Sequence, residues 1–107
     1  MKSWIGAVAL VGILASGGAM AGAKIYGLGA TSCGKFLSYA NDDQEPYIFW
    51  FNGYATMASA ESGIDYFKGT DGDSRLIWIR NYCQAHPLEM FYDGTVALMA
   101  ELYNMHK

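Results

Sequence analysis

Apolar positions along the chain form one unbroken run followed by four periodic segments. Trp4 to Leu14 carries no charge, Met1 and Lys2 precede it with a short positive start, and Ser16-Gly17-Gly18-Ala19-Met20-Ala21 closes it with small residues in an Ala-x-Ala pattern. That arrangement predicts a secretory signal peptide over residues 1–21, cleaved after Ala21 or, as the near alternative, after Ala23. The run is shorter than the roughly 20 residues a membrane span needs, so an N-terminal anchor is the lesser reading. Residues 22–107 then form the mature domain, with no membrane span in it.

Four helices are expected in that domain. Thr31 and Ser32 are N-cap residues ahead of Cys33, Phe36, Leu37 and Ala40, which recur at i, i+3, i+4 and i+7 and predict a short first helix. Asn41-Asp42-Asp43-Gln44 is turn chemistry, and Pro46 suits the first turn of a second helix that runs to Ser62 and stops at Gly63. Tyr47-Ile48-Phe49-Trp50-Phe51 is apolar all round, so this helix is either centrally buried or part of a subunit contact. Those five residues also have strand propensity; segment length and the flanking Pro46 and Gly63 favour helix.

Gly63 to Asp73 fits no apolar period and reads as the longest loop, after which Asp73 or Ser74 caps a third helix. Leu76, Ile79, Arg80 and Cys83 share a face of it, and His86-Pro87 ends it. Leu88 onward forms the last helix, with Phe91, Thr95, Leu98, Leu102 and Met105 as one stripe and Gly94 offering close approach to a neighbour. The fold class is therefore all-α: a small four-helix domain after a leader.

Cysteine usage adds a staple. Cys33 and Cys83 are the two cysteines, and in an exported small domain an even count predicts a disulfide between them, closing a long loop. A redox thiol would need a second nearby Cys or a Cys-x-x-Cys pair, which the chain lacks.

Composition changes the picture only by exclusion. At 107 residues there is room for one domain, and 52% apolar against 16% charged residues describes a packed globule. Seven Lys plus Arg against ten Asp plus Glu give −3, or −4 without Lys2, the wrong sign for a nucleic-acid partner. No catalytic set and no metal site is expected. His86 and His106 lie a whole helix apart, and no serine stands in Gly-x-Ser-x-Gly. Asp71-Gly72-Asp73 lacks the further ligands of a calcium loop and reads as a turn plus an N-cap, while His86 is expected to face the last helical carbonyls. No cofactor is implied.

The unusual feature is the aromatic load of Tyr47, Trp50, Phe51 and Tyr54 on the second helix. Core filling explains part of it, since a small domain cannot bury everything with aliphatics. A protein-binding or homodimer surface is the functional reading, because aromatics dominate interface hot spots. Asp71 and Asp73, in the acidic loop, are the other candidates for contact with a partner.

Ser32 to Leu37 (Ser-Cys-Gly-Lys-Phe-Leu), the acidic turn ending at Pro46, Gly53-Tyr54, Asn81-Tyr82-Cys83 and His86-Pro87 together resemble the small periplasmic HdeA/HdeB acid-stress chaperone family. The resemblance spans about Thr31 to Leu102 and implies a disulfide-held four-helix fold, a periplasmic location and binding of unfolding client proteins. His86 stands where that family more often has Asn. The Gly-Tyr helix and the Tyr-Cys-x-x-x-Pro turn are also similar to exported immunity proteins of the resistance-associated type VI secretion class, which implies a cognate toxin or enzyme as partner. Near pH 2, protonating ten carboxylates and two histidines takes the mature side-chain charge to about +8, a self-repulsion that loosens packing.

Overall fold

The computed structural model describes residues 24–106, and the expected leader at 1–21 lies outside the described residues. After a 3₁₀ turn at Gly27–Ala30 come α1 (Cys33–Leu37), a second 3₁₀ turn at Asn41–Gln44, α2 (Glu45–Ser62), α3 (Gly72–Ala85) and α4 (Phe91–His106). The described residues hold no strand, only one isolated bridge between Ser32 and Met90. The domain is all-α with four helices and one disulfide.

Local chemistry sets the helix ends. Ser32 caps α1 by accepting from the Lys35 amide at 3.0 Å. The helix stops at Leu37 rather than Ala40 because the Ser38 hydroxyl donates to the Lys35 carbonyl at 2.6 Å and the buried Gln44 amide donates to the Phe36 and Tyr39 carbonyls at 3.3 and 3.1 Å. Pro46 sits in the first turn of α2, and Gly63, at φ 77°, ends it in the left-handed region that glycine enters without penalty. The cap of α3 is Asp71, two residues before Asp73, accepting from the Ser74 amide at 2.8 Å.

α4 begins at Phe91, not Leu88, which is 96% exposed. The residues just before it are engaged elsewhere. Their backbone runs antiparallel to 31–34, with Gly34 donating to the Pro87 carbonyl at 2.9 Å, Cys33 to Glu89 at 2.7 Å and Phe91 to Thr31 at 2.8 Å. This clasp surrounds the Cys33–Cys83 disulfide, which ties α1 to α3 with a Cα–Cα separation of 4.9 Å.

Inward positions follow the expected periods. Ile79 and Cys83 of α3 and Phe91, Thr95, Leu98 and Leu102 of α4 are buried together with Phe36 of α1. Each large apolar side chain among them contributes about 1.5–3 kcal/mol by burial. Arg80 is half-buried, and Met105, expected in the α4 stripe, is largely exposed in the last turn. At Gly94 a Cβ would lie 3.2 Å from the Tyr82 ring and 3.8 Å from Cys83 Sγ, so α4 passes close to α3 there.

Candidate functional site

α2 carries apolar side chains on two opposed faces, and only one is used up by the core. Tyr47, Phe51 and Ala55, at i, i+4 and i+8, point inward and are buried. The Tyr47 ring meets Phe36 and Phe91 at centroid distances of 5.0 Å each, and Phe36 and Phe91 are 4.9 Å apart, giving a closed aromatic trio. Phe51 packs on Phe67 at 5.3 Å. Tyr47 and Phe51, expected at a partner surface, are thus core residues of the folded chain. Their four-residue spacing gives them the same face, and that face is the one α1 and α4 cover.

Trp50 and Tyr54 occupy the boundary. The Trp50 indole N–H donates to the Tyr26 carbonyl at 2.8 Å, and its ring stacks on Tyr54 at 5.9 Å. Tyr54 in turn meets Tyr92 edge-on at 5.9 Å. Burial, and secondarily the neighbouring Tyr92 phenol, raise the Tyr54 pKa. Both side chains are half-buried and share one shallow groove with Tyr26, Phe49 and Gly53.

The outer face is open. Phe49 is 63% exposed and Met57 61%, with Gly53 exposed between them at the same four-residue interval. Tyr26 adds a further exposed ring beside Trp50. The sequence reading passed over Phe49, Met57 and Tyr26. Phe49 was visible in the apolar run Tyr47 to Phe51, and its position two residues from both Tyr47 and Phe51 puts it across the helix from them. Tyr26 lies outside any helix, and no periodic signal could have placed it.

Asp71 and Asp73 part company. Asp71 is the α3 cap, and the Ser74 amide, followed by weaker help from Arg75, holds its carboxyl below the ordinary 3.8. Asp73, two residues later, is exposed and lines a groove with Phe49 at the start of α2. Asp71 is not part of that groove.

No protein-family model, curated protein or solved structure matches this chain. The functional reading therefore rests on its own residues.

Among the described residues no group of three or more His, Cys, Asp or Glu is placed to hold a metal ion. Nor is any helix there long and apolar enough to cross a membrane. His86 departs from expectation: its backbone N–H takes the Tyr82 and Cys83 carbonyls, while its ring packs on Tyr82 at 4.5 Å and its Nδ1 lies 3.4 Å from Glu89. The Tyr82 hydroxyl donates to the same Glu89 carboxylate, which is the main reason its pKa is pushed up to about 12. Tyr82, His86 and Glu89 together knit the end of α3 to the clasp before α4.

Proposed function

We propose that this chain is an exported, non-catalytic protein-binding domain of the acid-stress-chaperone type, with the outer face of α2 as its contact surface. One observation carries the reading: a helix apolar on both sides buries Tyr47, Phe51 and Ala55 and leaves Phe49 and Met57 in water, flanked by the half-buried Trp50 and Tyr54. Large exposed apolar groups in a row mark interaction sites more often than chance surface.

Acid responsiveness is supported by how the helices are fastened. The disulfide ties α1 to α3, whereas α2 has no covalent tie and is held by packing and by hydrogen bonds, Trp50 donating to the Tyr26 carbonyl and the Thr31 hydroxyl to the Tyr47 hydroxyl. As carboxylates are neutralised, the positive charge left on Lys35, Lys68, Arg75 and Arg80, none of them on α2, pushes apart the elements packed around that helix, and Tyr47 and Phe51 then join the outer aromatics as client-binding area. Oxidising export keeps the staple intact while this happens.

The test is light scattering of an acid-denatured client at about pH 2–3, where carboxylates are protonated. The chain should suppress aggregation, and Phe49→Ser with Met57→Ser should abolish the effect. Unchanged scattering with the unmodified chain removes the proposal. A second reading, a stoichiometric inhibitor or immunity protein bound to one cognate toxin or enzyme, is favoured by the fact that the outer face is already open in the folded chain. Recovery of a single folded partner at neutral pH, with no protection of clients in acid, selects it.

A further inference from the structure

The solvent side of α2 has an order of its own. Glu45, Phe49, Gly53, Met57 and Glu61 follow one another at four-residue intervals along the helix, and all five are exposed. The row reads acid, large apolar, notch, large apolar, acid. Between its ends the chain is uncharged from Pro46 to Ala60, and α2 holds no Lys or Arg. A helix whose outer side meets only water ordinarily carries charges there. Among the described residues the one ion pair is His86 with Glu89, so neither glutamate of the row has a cation partner there.

Gly53 adds an independent sign. In the interior of an 18-residue helix, glycine costs stability relative to alanine. A Cβ at this position would meet nothing within 4 Å, so no neighbour inside the chain requires the glycine. A missing side chain between two large exposed ones leaves a notch. Another helix can set a side chain into it, in the ridge-and-groove fit by which helices pack.

We propose that this row receives a helix of a partner protein that is apolar over about four turns, sets one large aliphatic side chain into the notch at Gly53, and carries a Lys or Arg at each end. The inference rests on the reading of the outer face of α2 as a contact surface and names what the partner brings to it. Charge decides between a foreign helix and a second copy of this chain. Laid antiparallel, two copies would set Glu45 of each against Glu61 of the other; laid parallel, each glutamate would meet its own counterpart. Both arrangements oppose like charges at both ends, whereas basic ends are drawn in. The row winds round α2 by about 40° per step, so the partner reaches the glutamates with long side chains while its backbone crosses at Gly53. Lys and Arg have that reach, and their apolar stems suit the rim formed by Phe49 and Met57.

The test is a calorimetric titration of the purified, oxidised protein at neutral pH with a helical peptide built on Ala and Gln, with Leu at its centre and Lys at two sites sixteen residues apart, the separation of Glu45 and Glu61. The same peptide with Glu for both Lys is the control for charge. The Lys peptide should bind about tenfold more tightly, and raising salt from about 20 mM to about 500 mM should narrow the difference. Gly53→Leu has open space for its side chain and should leave the fold at least as stable in urea, because leucine is the better helix former, while weakening the Lys peptide by about tenfold. Glu45→Gln with Glu61→Gln should remove the preference for Lys over Glu. No binding of the Lys peptide, equal binding of the two peptides, or indifference to Gly53→Leu in a folded protein overturns the proposal. So does a dimer of the unmodified chain in sedimentation that Gly53→Leu dissolves, since the face then belongs to a second copy. Client protection in acid is read separately on the unmodified chain: its absence beside a preference for Lys removes the chaperone reading alone, and equal peptide binding beside intact protection removes this inference alone.

Discussion

Gly29 lies directly beneath the Trp50 indole: a Cβ at Gly29 would stand 2.2 Å from Cζ2 and 2.3 Å from Cη2 of the ring. The indole is pinned from its other end by the Tyr26 carbonyl, so it has little freedom to retreat. Gly29→Ala should cost about 1–3 kcal/mol, as overpacking typically does, and should displace Trp50 and Tyr54 together because they are stacked. Urea denaturation measures the first effect, and loss of near-ultraviolet circular dichroism from the aromatic stack measures the second. A fully native spectrum with unchanged stability would contradict the packing described.

Reduction of the Cys33–Cys83 bond should lower stability by about 2–5 kcal/mol, the usual consequence of removing the disulfide of a small domain. The staple spans 50 residues and sits inside the backbone clasp between 31–34 and 87–91, so its loss also frees the start of α4. Urea curves with and without reductant test the first part. Faster hydrogen exchange at the Cys33, Gly34 and Phe91 amides, whose partners lie across the clasp, tests the second.

How much of this was open to sequence reading depends on the element. The α3 and α4 periods placed Ile79, Cys83, Phe91, Thr95, Leu98 and Leu102 correctly, because each helix has one apolar stripe and one core to face. Gly63 and Pro46 marked α2 for the same local reasons. The first helix is shorter and the fourth starts later than their apolar periods predict, since groups outside the helices decide both ends: Gln44 on the Phe36 and Tyr39 carbonyls, and Thr31 to Gly34 on the backbone before α4. The aromatic helix was recognised, but an all-round apolar pattern carries no phase, so which of its rings face water required the fold. The groove that Asp73 lines with Phe49 has no signal in the sequence for a similar reason, as the starts of α2 and α3 come together only in three dimensions.

Two titrations act at opposite ends of the pH scale. Asp71 has a carboxyl lowered from 3.8 by the Ser74 amide, so its contribution is fully present above 3.8 and is lost as pH falls through its still lower folded value. Tyr82 is raised from 10.0 to about 12 by Glu89, so its contribution is present below 10.0 and is lost as pH rises towards 12. Asp71→Ala should lower the melting temperature at neutral pH, with the gap to the unmodified chain closing in strong acid. Tyr82→Phe should delete one late step from the phenolate absorbance titration. A gap for Asp71→Ala that persists unchanged in strong acid would contradict the capping role.

Thr95 is 0% exposed, and among the described residues its hydroxyl finds no hydrogen-bond partner. A buried hydroxyl without a partner costs about 1–3 kcal/mol relative to having one. Thr95→Val keeps the branched shape and removes the unsatisfied group, so it should raise stability by about 1 kcal/mol. The midpoint of urea unfolding should rise at constant slope. A fall would show that the hydroxyl has a partner such as bound water.

Phe49 and Phe51 are two residues apart in the same helix and should behave oppositely when truncated. Phe51 is 1% exposed and packs against Phe67, so Phe51→Ala should cost about 3–5 kcal/mol through lost burial and an unfilled cavity. Phe49 is 63% exposed, so Phe49→Ala should stay within about 0.5 kcal/mol of the unmodified chain. Function should invert that ranking. Phe49 belongs to the outer face of α2, so its loss should weaken client protection in a protein that remains folded. Urea denaturation and acid light scattering on the same two variants separate the roles. If Phe49→Ala proves as destabilising as Phe51→Ala, that ring is part of the core and the contact surface must lie elsewhere.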